Sequence, residues 1–229
     1  MQITGQLPRE TGRDYALRIL RENIISMELQ PGSTVSENEL ASALGLSRTP
    51  VREALIELAA AKAVNIAPQK RSTISYIDYD LIEESSFLRN ALECAVVALV
   101  CEVRTDEDIT WLDNNIKLQK FYIDNHSPSM MLEVDNDFHR KLFAIAQKQN
   151  LYTLIHNHGI HLDRVRNLAM VSVEELTIVQ EHSLVLEAIR QRDKAKARES
   201  MEQHLQRYLV DRLTIEKKYP QYIRKNGRT

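Results

Sequence analysis

Apolar residues recur along most of this chain every three or four positions, the period of helices that bury one face. In residues 14–27, DYALRILRENIISM, the stripe is Ala16, Leu17, Leu20, Ile24 and Met27. LQPGST interrupts it with Pro31 and Gly32. SENEL predicts a second helix, with Ser36 as N-cap and Glu39 completing a capping box, running to Leu44 and stopping at Gly45. A third helix is expected from near Thr49, with Pro50 in its first turn and Val51, Ala54, Leu55 and Leu58 buried. The pattern then changes. VNIAP and STISY flank QKR and suggest two short strands around a basic turn. Beyond Asp78 the helical period returns over about six segments, near 79–103, 106–125, 128–147, 150–170, 173–191 and 193–217.

These elements predict a mainly α protein. A winged helix-turn-helix would occupy 14–77 and an all-α antiparallel helical bundle 78–218, with short connections between its helices. The polar N-terminus, residues 1–13, and the basic residues 219–229 are expected to be loose tails. The 229 residues contain only six glycines and six prolines, which supports the helical reading because β-rich folds need many turns.

Charge adds little at the scale of the whole chain. The net charge is −2, and residues 1–77 hold nine Lys/Arg against eight Asp/Glu, so a nucleic-acid site has to be a local patch. Cys94 and Cys101 are the only cysteines, seven apart on one expected helix, which suits reduced thiols and a cytoplasmic protein. No apolar run approaches the ~20 residues that cross a bilayer, and no membrane partner is expected.

The local patch lies at the start of the third helix. SRTPVRE offers Arg48, Thr49 and Arg52 on exposed positions. Arginine can grip guanine O6 and N7 with two hydrogen bonds, while Thr49 and the free N–H groups of a helix start suit phosphates. Lys70 and Arg71 at the expected wing tip suit the DNA backbone or the minor groove. Any one of these side chains could be an ordinary solvated charge. Their order, capped helix, glycine turn, proline-started helix and basic hairpin, makes that reading weaker.

A second constellation comes from polar residues on apolar stripes. In VDNDFHRKLF, Asp135 and His139 fall one turn apart on the face of Val134, Phe138 and Leu142. His182 interrupts the stripe Ile178, Val179, Val185, Leu186, Ile189, and His204 the stripe Ala197, Met201, Leu205, Tyr208, Leu209. One such histidine is usually a hydrogen-bonded core residue. Three histidines and an acid that converge in a bundle are a metal site, because an uncompensated buried carboxylate costs several kcal/mol. HNHGIH, with His158 and His161, has no nearby carboxylate or cysteine to complete a site and is read as surface or cavity-rim histidine. Arg164 and Arg166 follow it and could border the same cavity, and Trp111 and Phe121 are expected in the core.

QPGSTVSENELASALGLSRTPVREAL resembles the DNA-binding domain of the GntR family of bacterial transcription regulators over about residues 14–76. The resemblance implies DNA contacts from Arg48, Thr49 and Arg52, with Ser47 as a phosphate ligand. Asn38 stands where the family usually has arginine, which removes a phosphate contact or replaces it with an amide hydrogen bond. The wing tip reads KRS where the family has glycine, and Arg71 lacks glycine's backbone freedom. DNDFHRKL, EHSLVLEAI and SMEQHL resemble the ligand motifs of the FCD effector-binding domain found in one GntR subfamily. That resemblance implies an Asp-His-His-His metal set at Asp135, His139, His182 and His204, and a ligand-facing arginine at Arg89. The alternative for Arg89 is an exposed salt bridge with Glu93, one turn on.

The expected function is a homodimeric, ligand-responsive regulator of double-stranded operator DNA. It would sense a small organic acid, such as a sugar acid or hydroxy acid, through a divalent metal. Zinc, nickel and manganese are the leading metals for such a nitrogen-rich set. Two alternatives remain open at the level of sequence: a metal-dependent hydrolase using the same His/Asp site, and a regulator whose metal is purely structural.

Overall fold

The computed structural model describes residues 1–67, 71–172 and 176–224. It divides into two compact units, one of Met1–Tyr79 with Glu216–Thr229 and one of Asp80–Ile215.

In the first unit, α1 (Gly12–Ile25), α2 (Glu37–Leu44) and α3 (Arg48–Ala60) pack beside a three-stranded antiparallel sheet. Its strands are β1 (Thr34–Val35), β2 (Val64–Asn65) and β3 (Ser72–Ile74), in the order β1-β3-β2. Ile19, Leu20, Ile24, Leu55, Leu58 and Ile74 form its core. α2 ends as its sequence predicts, at Gly45 in the left-handed conformation with φ 67°. Ser36 is the N-cap of α2, but its side chain makes no capping hydrogen bond. The expected capping box is therefore not formed, and Glu39 instead pairs with Arg71 of the wing. Gly32 has φ 81°, and a Cβ there would meet the Tyr76 hydroxyl at 2.6 Å, so this turn requires glycine.

Described residues near both ends of the chain make hydrogen bonds or ion pairs with the first unit. The Gln2 amide donates to Asn23 Oδ1 at 2.6 Å, and Arg18 donates to Gly5 O at 3.0 Å. Residues 220–222 form a 3₁₀ turn, after which Ile223 pairs with Ile77 as an isolated parallel bridge. Arg224 there holds Asp78.

The second unit contains α4 (Tyr79–Val103), α5 (Asp106–Asp124), α6 (Pro128–Ile145), α7 (Gln149–His158), α8 (Ile160–Ser172), α9 (Leu176–Arg190), α10 (Lys194–Leu205) and α11 (Arg207–Lys218). α4 and α11 continue into the first unit by one and three residues respectively. The core is built from Val96, Val100, Leu112, Phe138, Leu142, Phe143, Val185, Ile189 and Met201, which lie on α4, α5, α6, α9 and α10. Two of the six expected segments are each split. α7 and α8 separate at Gly159, and α10 and α11 at Gln206, where no glycine or proline marks the break. α5 starts with a full capping box in which Thr105 and Asp108 each satisfy the other's backbone. Trp111 and Phe121 are exposed rather than core, with the Lys141 ammonium 5.7 Å from the Trp111 ring centroid. Cys94 is half-buried and Cys101 buried; burial pushes the Cys94 thiol up to about 11, so it stays protonated and unreactive. Among the described residues, no helix is long and apolar enough to cross a membrane.

Candidate metal centre and DNA-reading helix

α6 is amphipathic, and its buried face carries Val134, Asp135, Phe138, His139 and Leu142 one turn apart. The residues on α9 and α10 that face it supply His182 and His204. All four polar side chains are buried: Asp135 is 2% exposed, His139 1%, His182 0% and His204 7%. One ligand atom from each lies within 4.8 Å of the other three.

The hydrogen bonds around the cluster decide which nitrogens face inward. His139 Nδ1 meets the Glu93 carboxylate, His182 Nδ1 meets Gln119 Oε1 at 2.8 Å, and His204 Nδ1 meets Glu181 Oε2 at 3.0 Å. Each of those oxygens accepts, so each Nδ1 carries the proton and each Nε2 presents a lone pair. The Nε2 atoms of His182 and His204 are 3.1 Å apart, and those of His204 and His139 are 3.3 Å apart. With no proton between them these pairs repel, unless a cation sits at their centre. Nitrogens ~2.1 Å from one ion, at angles between square and tetrahedral, stand ~3.0–3.4 Å apart. Asp135 completes the set, with Oδ2 3.8 Å from His139 Nε2 and Oδ1 3.8 Å from His182 Nε2.

Electrostatics agree with this donor set. Burial is the largest cause that lowers all three imidazoles, with His182 brought to about 3 and His204 to about 4, so they are neutral lone-pair donors at neutral pH. Burial works against ionised Asp135, but the Arg166 guanidinium beside it outweighs this and holds the carboxyl well below its usual range. The Arg166 Nη2 reaches Asp135 Oδ2, while its Nη1 donates to Asn136 Oδ1 at 2.9 Å and Asp163 Oδ1 at 2.8 Å.

Arg89 pairs with Glu93, but not in the exposed manner expected of an i,i+4 surface pair. Its side chain is 14% exposed and that of Glu93 0%. Glu93 thus joins Arg89 to His139. Arg89 and Arg166 line two cavities beside the cluster. One, of about 40 Å³, also meets Asp135, His204, Leu162, Val165 and Tyr208. The other, of about 30 Å³, also meets Ser85, Asn136, His139, Tyr152 and His156.

The sequence pattern located the four clustered side chains but not the residues that hydrogen-bond to them. Gln119 is 0% exposed on the same buried stripe of α5 as Leu112, Asn115 and Ile116, a polar interruption of the kind that marked the histidines. Arg166, expected at the border of a cavity, binds Asp135 directly. His158 is exposed, as expected, whereas His161 is buried.

In the first unit Ser47 is the N-cap of α3, in extended conformation with φ −74° and ψ 167°, and its side chain does not cap the helix. Ser47, Arg48, Thr49 and Arg52 are all exposed at this helix start, and Asn38 is exposed on α2. Glu37 of α2 lies beside both arginines, 3.1 Å from Arg48 Nη2 and 4.0 Å from Arg52 Nε. Arg71 is exposed and bound to Glu39, while Lys70 falls outside the described residues.

A winged helix-turn-helix joined to an all-helical domain with a buried Asp/His cluster defines a DNA-binding regulator with a sensory domain. The chain belongs to the GntR family: residues 15–74 match the model "Bacterial regulatory proteins, gntR family", and residues 84–207 match the FCD domain. It is 32% identical over 209 residues to the HTH-type transcriptional repressor RspR of Escherichia coli (strain K12), covering 90% of this chain and 91% of that one. It is also 32% identical over 213 residues to an HTH-type transcriptional regulator of Streptomyces ambofaciens, covering 89% and 85%. The fold matches the solved structure of E. coli McbR/YncC with a TM-score of 0.79 at 21% identity, over 91% of this chain and 99% of that one. These relatives are transcription regulators, not enzymes, and the hydrolase reading is set aside.

Proposed function

We propose that this regulator senses a small carboxylate through a divalent metal held by Asp135, His139, His182 and His204. The observation that carries the reading is the convergence of three Nε2 lone pairs and one carboxylate, with every Nδ1 proton already committed to an acceptor. Zinc, nickel and manganese suit this set. A divalent ion bound there supplies positive charge and open coordination positions for effector oxygens. Arg89 supplies a planar fork for the carboxylate, which would compete with Glu93 for it. The cavity lined by Ser85, Asn136, Tyr152 and His156 offers hydrogen-bond partners for hydroxyl groups, which favours a hydroxy acid or sugar acid.

On the DNA side, Arg48 and Arg52 read base edges while Ser47, Thr49 and Asn38 contact phosphates, and Lys70 and Arg71 reach the flanking groove from the wing. Two such heads on a homodimer match a near-palindromic operator. A ridge on α4 supports the dimer. Phe87, Ala91, Ala95, Leu99 and Val103 recur every fourth residue over ~24 Å and all face solvent. Two copies crossing antiparallel at Ala95 would set Phe87 opposite the partner's Val103 and Ala91 opposite the partner's Leu99. The effector acts as a switch by binding one arrangement of the two heads better than the other.

The test is calorimetry with a panel of sugar acids and hydroxy acids on metal-loaded and chelator-treated protein, followed by operator binding. Heat of binding that needs both the metal and Arg89 supports the reading. Effector response that survives metal removal and Arg89→Ala overturns it in favour of a structural ion.

A further inference from the structure

Asp135 is the only anion among the four ligands, and one of its oxygens is already taken. The Arg166 Nη2 sits on Oδ2, the oxygen nearer His139 Nε2. A cation centred among the Nε2 atoms draws on the same carboxylate. Arg166 is no surface charge passing by: its side chain is 15% exposed, and Asn136 and Asp163 tether its other nitrogen at 2.9 and 2.8 Å.

We infer that Arg166 is a built-in substitute cation, which neutralises Asp135 when the metal is absent and is displaced from it when the metal arrives. The inference rests on the metal reading above. Asp135 needs a positive partner in the metal-free fold, since a buried carboxylate without one is costly. Arg166 meets that need without occupying the centre of the three histidines. On loading, its guanidinium stays with Asp163 and Asn136, at the border of both cavities and near Arg89. Metal occupancy and the position of Arg166 are therefore coupled, and loading frees the Nη2 edge of Arg166 from Asp135 while Nη1 keeps its partners.

The coupling makes a prediction opposite to that for an orienting partner. A group that positions a metal ligand normally raises affinity, and its loss weakens binding ~10–100-fold. A competitor lowers affinity by the fraction of time it leaves Asp135 available, so its removal tightens binding. The experiment is a zinc titration of the full chain against a chromophoric chelator, for wild type, Arg166→Gln and Arg166→Lys. The expected result is that Arg166→Gln binds zinc about tenfold more tightly or better, and melts lower than wild type without metal. Arg166→Lys, which keeps the charge, should stay near wild type. If metal-free Arg166→Gln is too unstable to purify, recovery of its folded yield by zinc in the medium supports the same conclusion. Zinc affinity in Arg166→Gln that is equal to or weaker than wild type overturns the inference and leaves the metal reading standing. A wild-type chain that takes up no zinc, nickel or manganese overturns both.

Discussion

Three buried neutral histidines make the metal-free protein sensitive to mild acid. In the unfolded chain each imidazole titrates near its ordinary value of 6.5, whereas in the fold His182 and His204 are held at about 3 and 4, and His139 well below 6.5. The unfolded state therefore binds more protons between those limits, and stability falls as the pH drops through the ordinary histidine range toward the folded values. From about pH 7 to about pH 5.5 a histidine held neutral in the fold costs between ~1 and ~1.5 kcal/mol, so three together cost roughly 4 kcal/mol. That sum depends little on how deep the folded values lie, provided they are below about 5. Asp135, lowered by Arg166, adds nothing in this window because it stays ionised throughout; Glu181, raised by burial, works weakly in the opposite sense. The assay is urea denaturation of chelator-treated protein across this pH range. His182→Gln combined with His204→Gln should remove about two thirds of the slope. A metal-free wild type whose stability is flat from pH 7 to 5.5 would refute the buried, neutral state of the cluster.

Further tests address the rest of the account. Glu93→Gln should weaken metal binding ~10–100-fold in a chelator competition, because His139 loses the carboxylate that orients it. Arg48→Ala and Arg52→Ala should each cost ~1–3 kcal/mol of operator discrimination by fluorescence anisotropy. Neither should shift the melting temperature, since their side chains are 67% and 70% exposed. The proposed homodimer is tested by Ala95→Glu, which places a charge at the middle of the α4 ridge: sedimentation should find a dimer for the wild type and a monomer for the variant, with metal binding kept.

Much of this site was legible in the sequence because burial leaves a periodic trace. Asp135, His139, His182 and His204 each interrupt an apolar stripe, and a polar residue in such a place needs a partner. Gln119 leaves the same trace beside Leu112 and Ile116 and could have been found that way. Glu93 was harder to read, because Arg and Glu four apart match an exposed helix pair as well as a buried one. Arg166 acts on Asp135 from 31 residues away, and no local period encodes a contact at that separation. The break at Gly159 had a glycine to announce it, whereas the one at Gln206 had no residue-type signal at all. Glu39 satisfies the spacing rule for a capping box, yet Arg71 supplies a charged partner that competes for it.

The central claim is tested most directly by measuring metal stoichiometry on the intact chain, by elemental analysis and native mass spectrometry, beside the variant His182→Ala. One divalent ion per chain in the wild type, lost in the variant while its helical content is kept, is the predicted result. A folded wild type that holds no ion after dialysis against zinc, nickel and manganese would contradict it.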